Sequence, residues 1–125
     1  MPVSAVLFAK NLDRVASFYR DALGFDCVQR SADHWQFDCR GFGFTVHRMP
    51  AVQAQSVVTS QPPLRRADAS LRLSFPVIDT AAVRASARLL GGQIDDAPPP
   101  WAARSADTFL GCDPEGKVFL IEGPA

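Results

Sequence analysis

Two stretches of the chain repeat one pattern. The first runs from Lys10 to Gly24 and the second from Val77 to Gly91; each follows an apolar run and each ends in Leu-Gly. The two stopping glycines lie 67 residues apart, about half of the 125-residue chain, which points to one module written twice. Two copies that pair their sheets enclose a concave surface, and a ligand is expected there.

Within the first copy, Val3 to Ala9 reads as a buried strand, although its periodicity alone does not exclude a helical turn. Asn11 or Asp13 can cap a helix after it. Leu12, Val15, Phe18, Tyr19, Ala22 and Leu23 recur at three- and four-residue steps, so one apolar stripe runs along this helix, which Gly24 closes. Phe25–Gln29, His34–Cys39 and Phe42–Arg48 read as three strands. In the last, Phe42, Phe44 and Val46 alternate with Gly43, Thr45 and His47, which sends the two sets to opposite faces.

The second copy opens with Leu71, Leu73, Phe75 and Val77 alternating with Arg72, Ser74 and Pro76. Asp79 or Thr80 caps a helix with Val83, Ala87 and Leu90 on its inner stripe, ending at Gly91 and Gly92. Gln93–Asp95 is a weak strand candidate, and Ala97 to Trp101 reads as a stiff, extended, proline-rich segment. Thr108–Cys112 and Lys117–Glu122 form a hairpin around Asp113, Pro114, Glu115 and Gly116. The fold class is therefore α+β: a single domain of two βαβββ modules, about 1–49 and 70–125. Residues 50–69 join them as a linker loop that could also cover a pocket.

Composition removes several function classes. Thirteen basic residues balance thirteen acidic ones, so no net field draws the chain to nucleic acid or an anionic membrane. Cys27, Cys39 and Cys112 are odd in number and lack C-x-x-C spacing, which fits buried thiols in a reducing cytoplasm better than disulfides or a zinc knuckle. No apolar run is long enough to span a bilayer, and none reads as a signal sequence. No Gly-x-Ser-x-Gly elbow or dinucleotide loop is present, and spacing alone assigns no activating base to any cysteine.

Leu12, Asp13, Arg14, Phe18, Tyr19, Arg20, Asp21, Leu23, Gly24 and Phe25, with Phe75, Pro76, Val77 and Asp79, and with Asp113 through Phe119, resemble the vicinal oxygen chelate superfamily. That superfamily includes glyoxalase I, extradiol dioxygenases, fosfomycin-resistance enzymes and bleomycin-resistance proteins. The resemblance covers nearly the whole chain and implies the glyoxalase/bleomycin-resistance/dioxygenase fold, in which each module curls into an open half-barrel and two chains form a homodimer. It also implies a divalent metal held by four side chains, typically His or Gln, Glu, His and Glu. Those positions fall on Ser4, Thr45, Arg72 and Leu120. None is a good metal ligand, and a guanidinium repels a cation. The expectation is no metal and no cofactor, as in a metal-free bleomycin-resistance-like member.

The expected lining is then Ser4, Val6 and Phe8; Gly43, Thr45 and His47; Arg72 and Ser74; and Val118, Leu120 and Glu122. Arg72 is either a fork for a ligand carboxylate or phosphate, an internal partner of Glu122, or an exposed strand-end arginine. His47 is a ligand contact, a general base or an ordinary rim residue. His34, beside Asp33 at a turn, is the weaker histidine candidate. Trp35 and Trp101 are candidate stacking walls, with core packing the alternative for Trp35. The ligand-binding set is thus Ser4, Phe8, Trp35, Thr45, His47, Arg72, Ser74, Trp101, Leu120 and Glu122, with no catalytic residue assigned. The function expected is binding or sequestering a small organic molecule, anionic or aromatic. The alternative is a metal-dependent lyase, isomerase or dioxygenase whose metal site has moved to His47 and Glu122.

Overall fold

Helix α1 (Leu12–Asp21) begins where the side chain of Asn11 can stand in for a missing helical carbonyl: the Arg14 N–H donates to Asn11 Oδ1 at 3.2 Å. Asp79 repeats the arrangement at the start of α3 (Thr80–Leu89), where the Ala82 N–H donates to its Oδ1 at 3.1 Å. Past the helices, Gly24 (φ 76°) and Gly91 (φ 91°) take the left-handed conformation that ends each stripe. The repeat read from the sequence is therefore a repeat of caps and stops.

The computed structural model describes residues 3–102 and 107–124. The chain divides into two compact units, Met1–Val58 and Thr59–Ala125. In the first, strands β1 (Ser4–Ala9), β2 (Asp26–Arg30), β3 (His34–Cys39) and β4 (Phe42–Arg48) form one sheet in the order β1-β4-β3-β2. Strands β1 and β4 are parallel, with Ser4 opposite Gly43 and Phe8 opposite His47; β3 and β4 are antiparallel, with Trp35 opposite Val46. One face of this sheet meets α1. Val15, Phe18 and Tyr19 are buried there against Phe37, Phe44 and Val46, and Tyr19 meets Phe44 edge-on at 5.0 Å between ring centroids. Each such ring contributes about 1.5–3 kcal/mol by leaving water, so the aromatic stripe on α1 is the main force holding helix to sheet. A single helical turn, α2 (Ala51–Ala54), comes next, and Lys10 Nζ donates to Val57 O at 2.7 Å.

The second unit repeats the topology. Strands β5 (Ser74–Pro76), β6 (Gln93–Ile94), β7 (Thr108–Cys112) and β8 (Val118–Glu122) lie in the order β5-β8-β7-β6, with β5 and β8 parallel. Val83 and Ala87 of α3 are buried with Phe75, Phe109, Phe119 and Ile121. The α+β reading of two βαβββ sheets holds. Besides α2, which lies inside the expected 50–69 linker loop, three elements differ from expectation. Strand β5 has only three residues, Ser74–Pro76, and single bonds prolong its pairing with β8 on either side, Leu120 N–H to Leu73 O and Val77 N–H to Glu122 O, both at 2.8 Å; the missing N–H of Pro76 interrupts neither. Residues Pro100–Ala102 form a 3-10 turn closed by Ala102 N–H to Pro99 O, so the proline run is not extended throughout.

The third difference concerns the segment ahead of β5. Residues 61–66 lie against the β7–β8 hairpin as a strap: the Arg66 N–H donates to Gly116 O at 2.8 Å, Pro63 is buried, and Arg65 grips Asp95 with both terminal nitrogens (2.7 and 3.2 Å). Among the described residues, no helix is long and apolar enough to cross a membrane.

Candidate functional site: the open faces of the two sheets

In the first unit, alternation and register place Ser4, Val6 and Phe8 on the sheet face away from α1, beside Gly43, Thr45 and His47. Val6 and Phe8 remain largely exposed, Phe8 at 46%. Gly43 and Ser4 stay small for a local reason: a Cβ on Gly43 would lie 3.3 Å from the Cβ of Ser4. The face is polar and shallow at that end and aromatic at the other.

Phe8, His47 and His34 form a row across β1, β4 and β3. Phe8 and His47 are 5.8 Å apart between centroids; His47 and His34 are 6.0 Å apart and nearly parallel, at 10°. Nδ1 of His47 lies 2.8 Å from the Arg48 carbonyl oxygen, which can only accept, so Nδ1 carries a hydrogen and donates it. Nδ1 of His34 pairs with Ser31 Oγ at 3.1 Å. Arg48 Nε lies 3.9 Å from Asp33, so the nearest carboxylate in that turn faces arginine. The row is a stacking ledge of one phenyl and two imidazole rings. His34 belongs to the ledge rather than to the turn; the signal for it is its place two residues before Gln36 in the alternation of β3.

Trp35 is not on this ledge. It pairs with Val46 on the α1 side of the sheet and is 1% exposed, with the guanidinium of Arg30 at 3.9 Å from its ring centroid and that of Arg20 at 5.2 Å. The stacking wall expected of Trp35 gives way to the core alternative, because an odd-numbered position in β3 must share a face with Phe37. Trp101 is 64% exposed on its 3-10 turn.

In the second unit, Ser74, Leu120 and Leu110 share the sheet face away from α3. Arg72 leads into this face. Its Nη2 donates to Ala67 O at 2.8 Å, while its Nε is buried and has no hydrogen-bond partner among the described residues. The expected alternative of an ion pair with Glu122 is not formed. Register explains why: Ser74 lies opposite Leu120 and Pro76 opposite Glu122, so Arg72 and Glu122 stand four residues apart along the strands, roughly 13 Å. Glu122 is exposed.

On the same face, one step beyond Leu110 toward the hairpin turn, the strap closes over Cys112, which is fully buried with its Sγ 3.8 Å from Gln93 Oε1; Arg65 Nε donates to the same oxygen at 3.2 Å. Burial raises the Cys112 thiol, against the opposing pull of Arg65. In the first unit, burial, with Asp38 and Asp26 nearby, pushes Cys39 up to about 11. A raised thiol holds less thiolate at a given pH: at pH 8, Cys39 is ionised in about one molecule in a thousand. Neither thiol is set up as a nucleophile. Iodoacetamide at pH 8 is therefore expected to label the native protein first at exposed Cys27, more slowly at half-buried Cys39, whose thiol is raised, and at buried Cys112 only after denaturation. Peptide mass spectrometry reads the sites, and native labelling of Cys39 as fast as that of Cys27 would contradict a raised Cys39 thiol.

The four positions that the resemblance assigns to a metal carry two hydroxyls, a guanidinium and an isobutyl group. Serine and threonine hydroxyls are neutral, weak donors, and Arg72 and Leu120 offer no lone pair. Among the described residues, no group of three or more His, Cys, Asp or Glu is placed to hold an ion. The donor set does not fit a divalent cation at these positions.

The sequence profile of the family described as "Glyoxalase-like domain" matches residues 4–121. The chain belongs to that family. Within the wider glyoxalase/bleomycin-resistance/dioxygenase superfamily, the chain is similar to a solved glyoxalase-related enzyme from Fulvimarina pelagi (21% identity, 99% of this chain and 88% of that one, TM-score 0.65). It is similar too to a glyoxalase/bleomycin resistance protein/dioxygenase family enzyme from Burkholderia phytofirmans PsJN (20% identity, 96% and 95%, TM-score 0.67). A bleomycin resistance determinant encoded on transposon Tn5 matches at 17% identity over 98% and 97%, with TM-score 0.60. These likenesses establish the glyoxalase-like fold. No curated protein matches the sequence. Family membership leaves the reaction open.

Proposed function

We propose that this glyoxalase-like protein binds a small organic anion on the open face of its second sheet, without a resident metal, and acts as a binding or sequestering protein. The observation that carries the reading is the buried, unpartnered Nε of Arg72. A buried polar N–H left without an acceptor costs about 1–3 kcal/mol, and a carboxylate or phosphate oxygen removes that cost while accepting a charge-assisted bond. Ser74 and Leu120 on the same face add a hydroxyl and an apolar wall. A resemblance to bleomycin-resistance proteins supports the metal-free choice, since the residues at the metal positions are not ligands. A homodimer in the cytoplasm, with neither nucleic acid nor membrane as partner, is part of the same proposal.

Thermal-shift and calorimetric titration with small carboxylates and phosphates, each beside its neutral amide or alcohol, tests it. A ligand that binds the native state raises apparent stability with concentration. Anions are expected to do so, and Arg72→Ala to weaken them about 10- to 100-fold, the equivalent of one charge-assisted bond. Arg72→Lys is expected to restore little, since an ammonium cannot reproduce the guanidinium fork. Equal shifts with neutral analogues, or unchanged affinity in Arg72→Ala, would sink the reading. Stoichiometric divalent metal lost in His47→Ala would instead establish the metal-dependent alternative.

A further inference from the structure

Between the strap and the end of α3 the second unit has a cavity of about 490 Å³ whose lining includes neither Arg72 nor Ser74. Its apolar wall is Pro62, Pro63 and Ile94, and its polar wall carries Arg65, Arg84 and Arg88. That volume falls within the range of small-molecule pockets.

The charges in this cavity do not cancel. Arg65 is fully engaged: its two terminal nitrogens hold both oxygens of Asp95, and its Nε donates to Gln93. Arg84 is engaged as well, donating from Nε and Nη2 to the Asp95 carbonyl at 3.1 and 2.9 Å, with Asp96 Oδ1 3.3 Å from its Nε and the Phe109 ring 4.6 Å from its Cζ. Two carboxylates are thus committed to two guanidinia. Arg88, the basic residue of the last turn of α3, has no acidic partner among the described residues. Three cations and two anions line the cavity, and the uncommitted cation, Arg88, is an exposed side chain on the same lining as Pro62 and Pro63.

We propose that this cavity is a second binding site, for an organic monoanion with a flat apolar body: the anionic group meets Arg88, and the body lies against Pro62, Pro63 and Ile94. The lining's excess of one positive side chain matches a ligand charge of −1. The fixed pyrrolidine rings offer a preformed surface that loses little conformational freedom on binding. Arg65 and Arg84 keep the walls apart through their own carboxylates and leave the third guanidinium to the ligand. This site is independent of Arg72 and stands whether or not that face binds an anion.

The test is a titration of the ¹⁵N-labelled full chain with benzoate, beside benzamide and benzylammonium of the same shape, followed through backbone amide shifts. Benzoate is expected to give saturable shifts at Gly91, Gly92, Gln93 and Ile94, with an affinity near millimolar as befits a fragment. Benzamide and benzylammonium are expected to bind at least about tenfold more weakly, and Arg88→Gln, an exposed substitution that leaves the helix intact, to weaken benzoate by a similar factor. Shifts centred on Leu73 and Ser74 alone would place the anion on the other face and overturn this site. Equal binding of benzamide, undiminished benzoate binding in Arg88→Gln, or no saturable shift up to about 20 mM would overturn it too.

Discussion

Gly116→Ala is expected to lower the stability of the protein by about 3 kcal/mol or more, and to loosen the strap from the β7–β8 hairpin. Two costs add at this position. Gly116 has φ 85°, where an L-residue loses about 1–2 kcal/mol. A Cβ there would also overlap the carbonyl oxygen of Leu64 and lie 2.9 Å from its carbonyl carbon, and these are backbone atoms that no rotamer change can move aside. The strap must therefore retreat, which breaks the Arg66 N–H to Gly116 O bond and strains the Arg65–Asp95 pair. Gly41 provides the control, since it has φ 88° but nothing within 4 Å of its Cβ position. Gly41→Ala is expected to cost about 1–2 kcal/mol, from backbone conformation alone. Urea denaturation of both variants measures the difference, and equal losses would show that the strap does not press on the turn.

Much of this fold is legible in the residues because its signals are local. The stripe from Leu12 to Leu23, the asparagine and aspartate caps, the glycine stops and the alternation in β4 each lie within one turn or one strand, where propensity and periodicity act. The boundaries of β3 and β4 follow from the polar turns beside them. The features that sequence does not reveal are set by contacts distant along the chain. Arg65 reads as part of a short basic cluster in a loop, and nothing in its neighbours points to Asp95 or to a cavity bounded by Arg88. For the site, alternation gives the open faces: Ser4, Phe8, Thr45 and His47 share one, and Ser74 and Leu120 another. Alternation also holds the answer for Trp35 and His34, which occupy adjacent positions in β3 and so face opposite ways; size draws attention to the tryptophan, and the neighbouring turn hides the histidine. Chemistry at Arg72 is visible as a charge on a lining face, while the state of its Nε depends on what surrounds it in three dimensions.

Asp113→Ala is expected to destabilise the protein by about 2–4 kcal/mol, the cost of leaving two inward backbone N–H groups without the carboxylate that accepts from them. The carboxylate of Asp113 is fully buried, and its Oδ1 accepts from the Glu115 N–H at 2.8 Å and the Lys117 N–H at 3.1 Å. Its backbone closes the same turn, with Asp113 N–H donating to Lys117 O and Gly116 N–H to Asp113 O, both at 3.0 Å. Alanine leaves two inward N–H groups without their acceptor. Asparagine keeps an oxygen in place but loses the charge, so Asp113→Asn is expected to recover roughly half of the loss. The Lys117–Glu115 pair beside it, 3.1 Å apart with Glu115 only 2% exposed, depends on the same turn geometry and does not substitute for the missing carboxylate. Because Asp113 shapes the turn that places Gly116 under Leu64, the losses from Asp113→Ala and Gly116→Ala share one structural consequence. The double variant is expected to fall short of their sum by about 1 kcal/mol or more, a coupling that neighbouring residues show and distant ones do not. Strict additivity in a double-mutant denaturation cycle, or a loss below about 1 kcal/mol for Asp113→Ala alone, would separate the turn from the strap it is argued to hold.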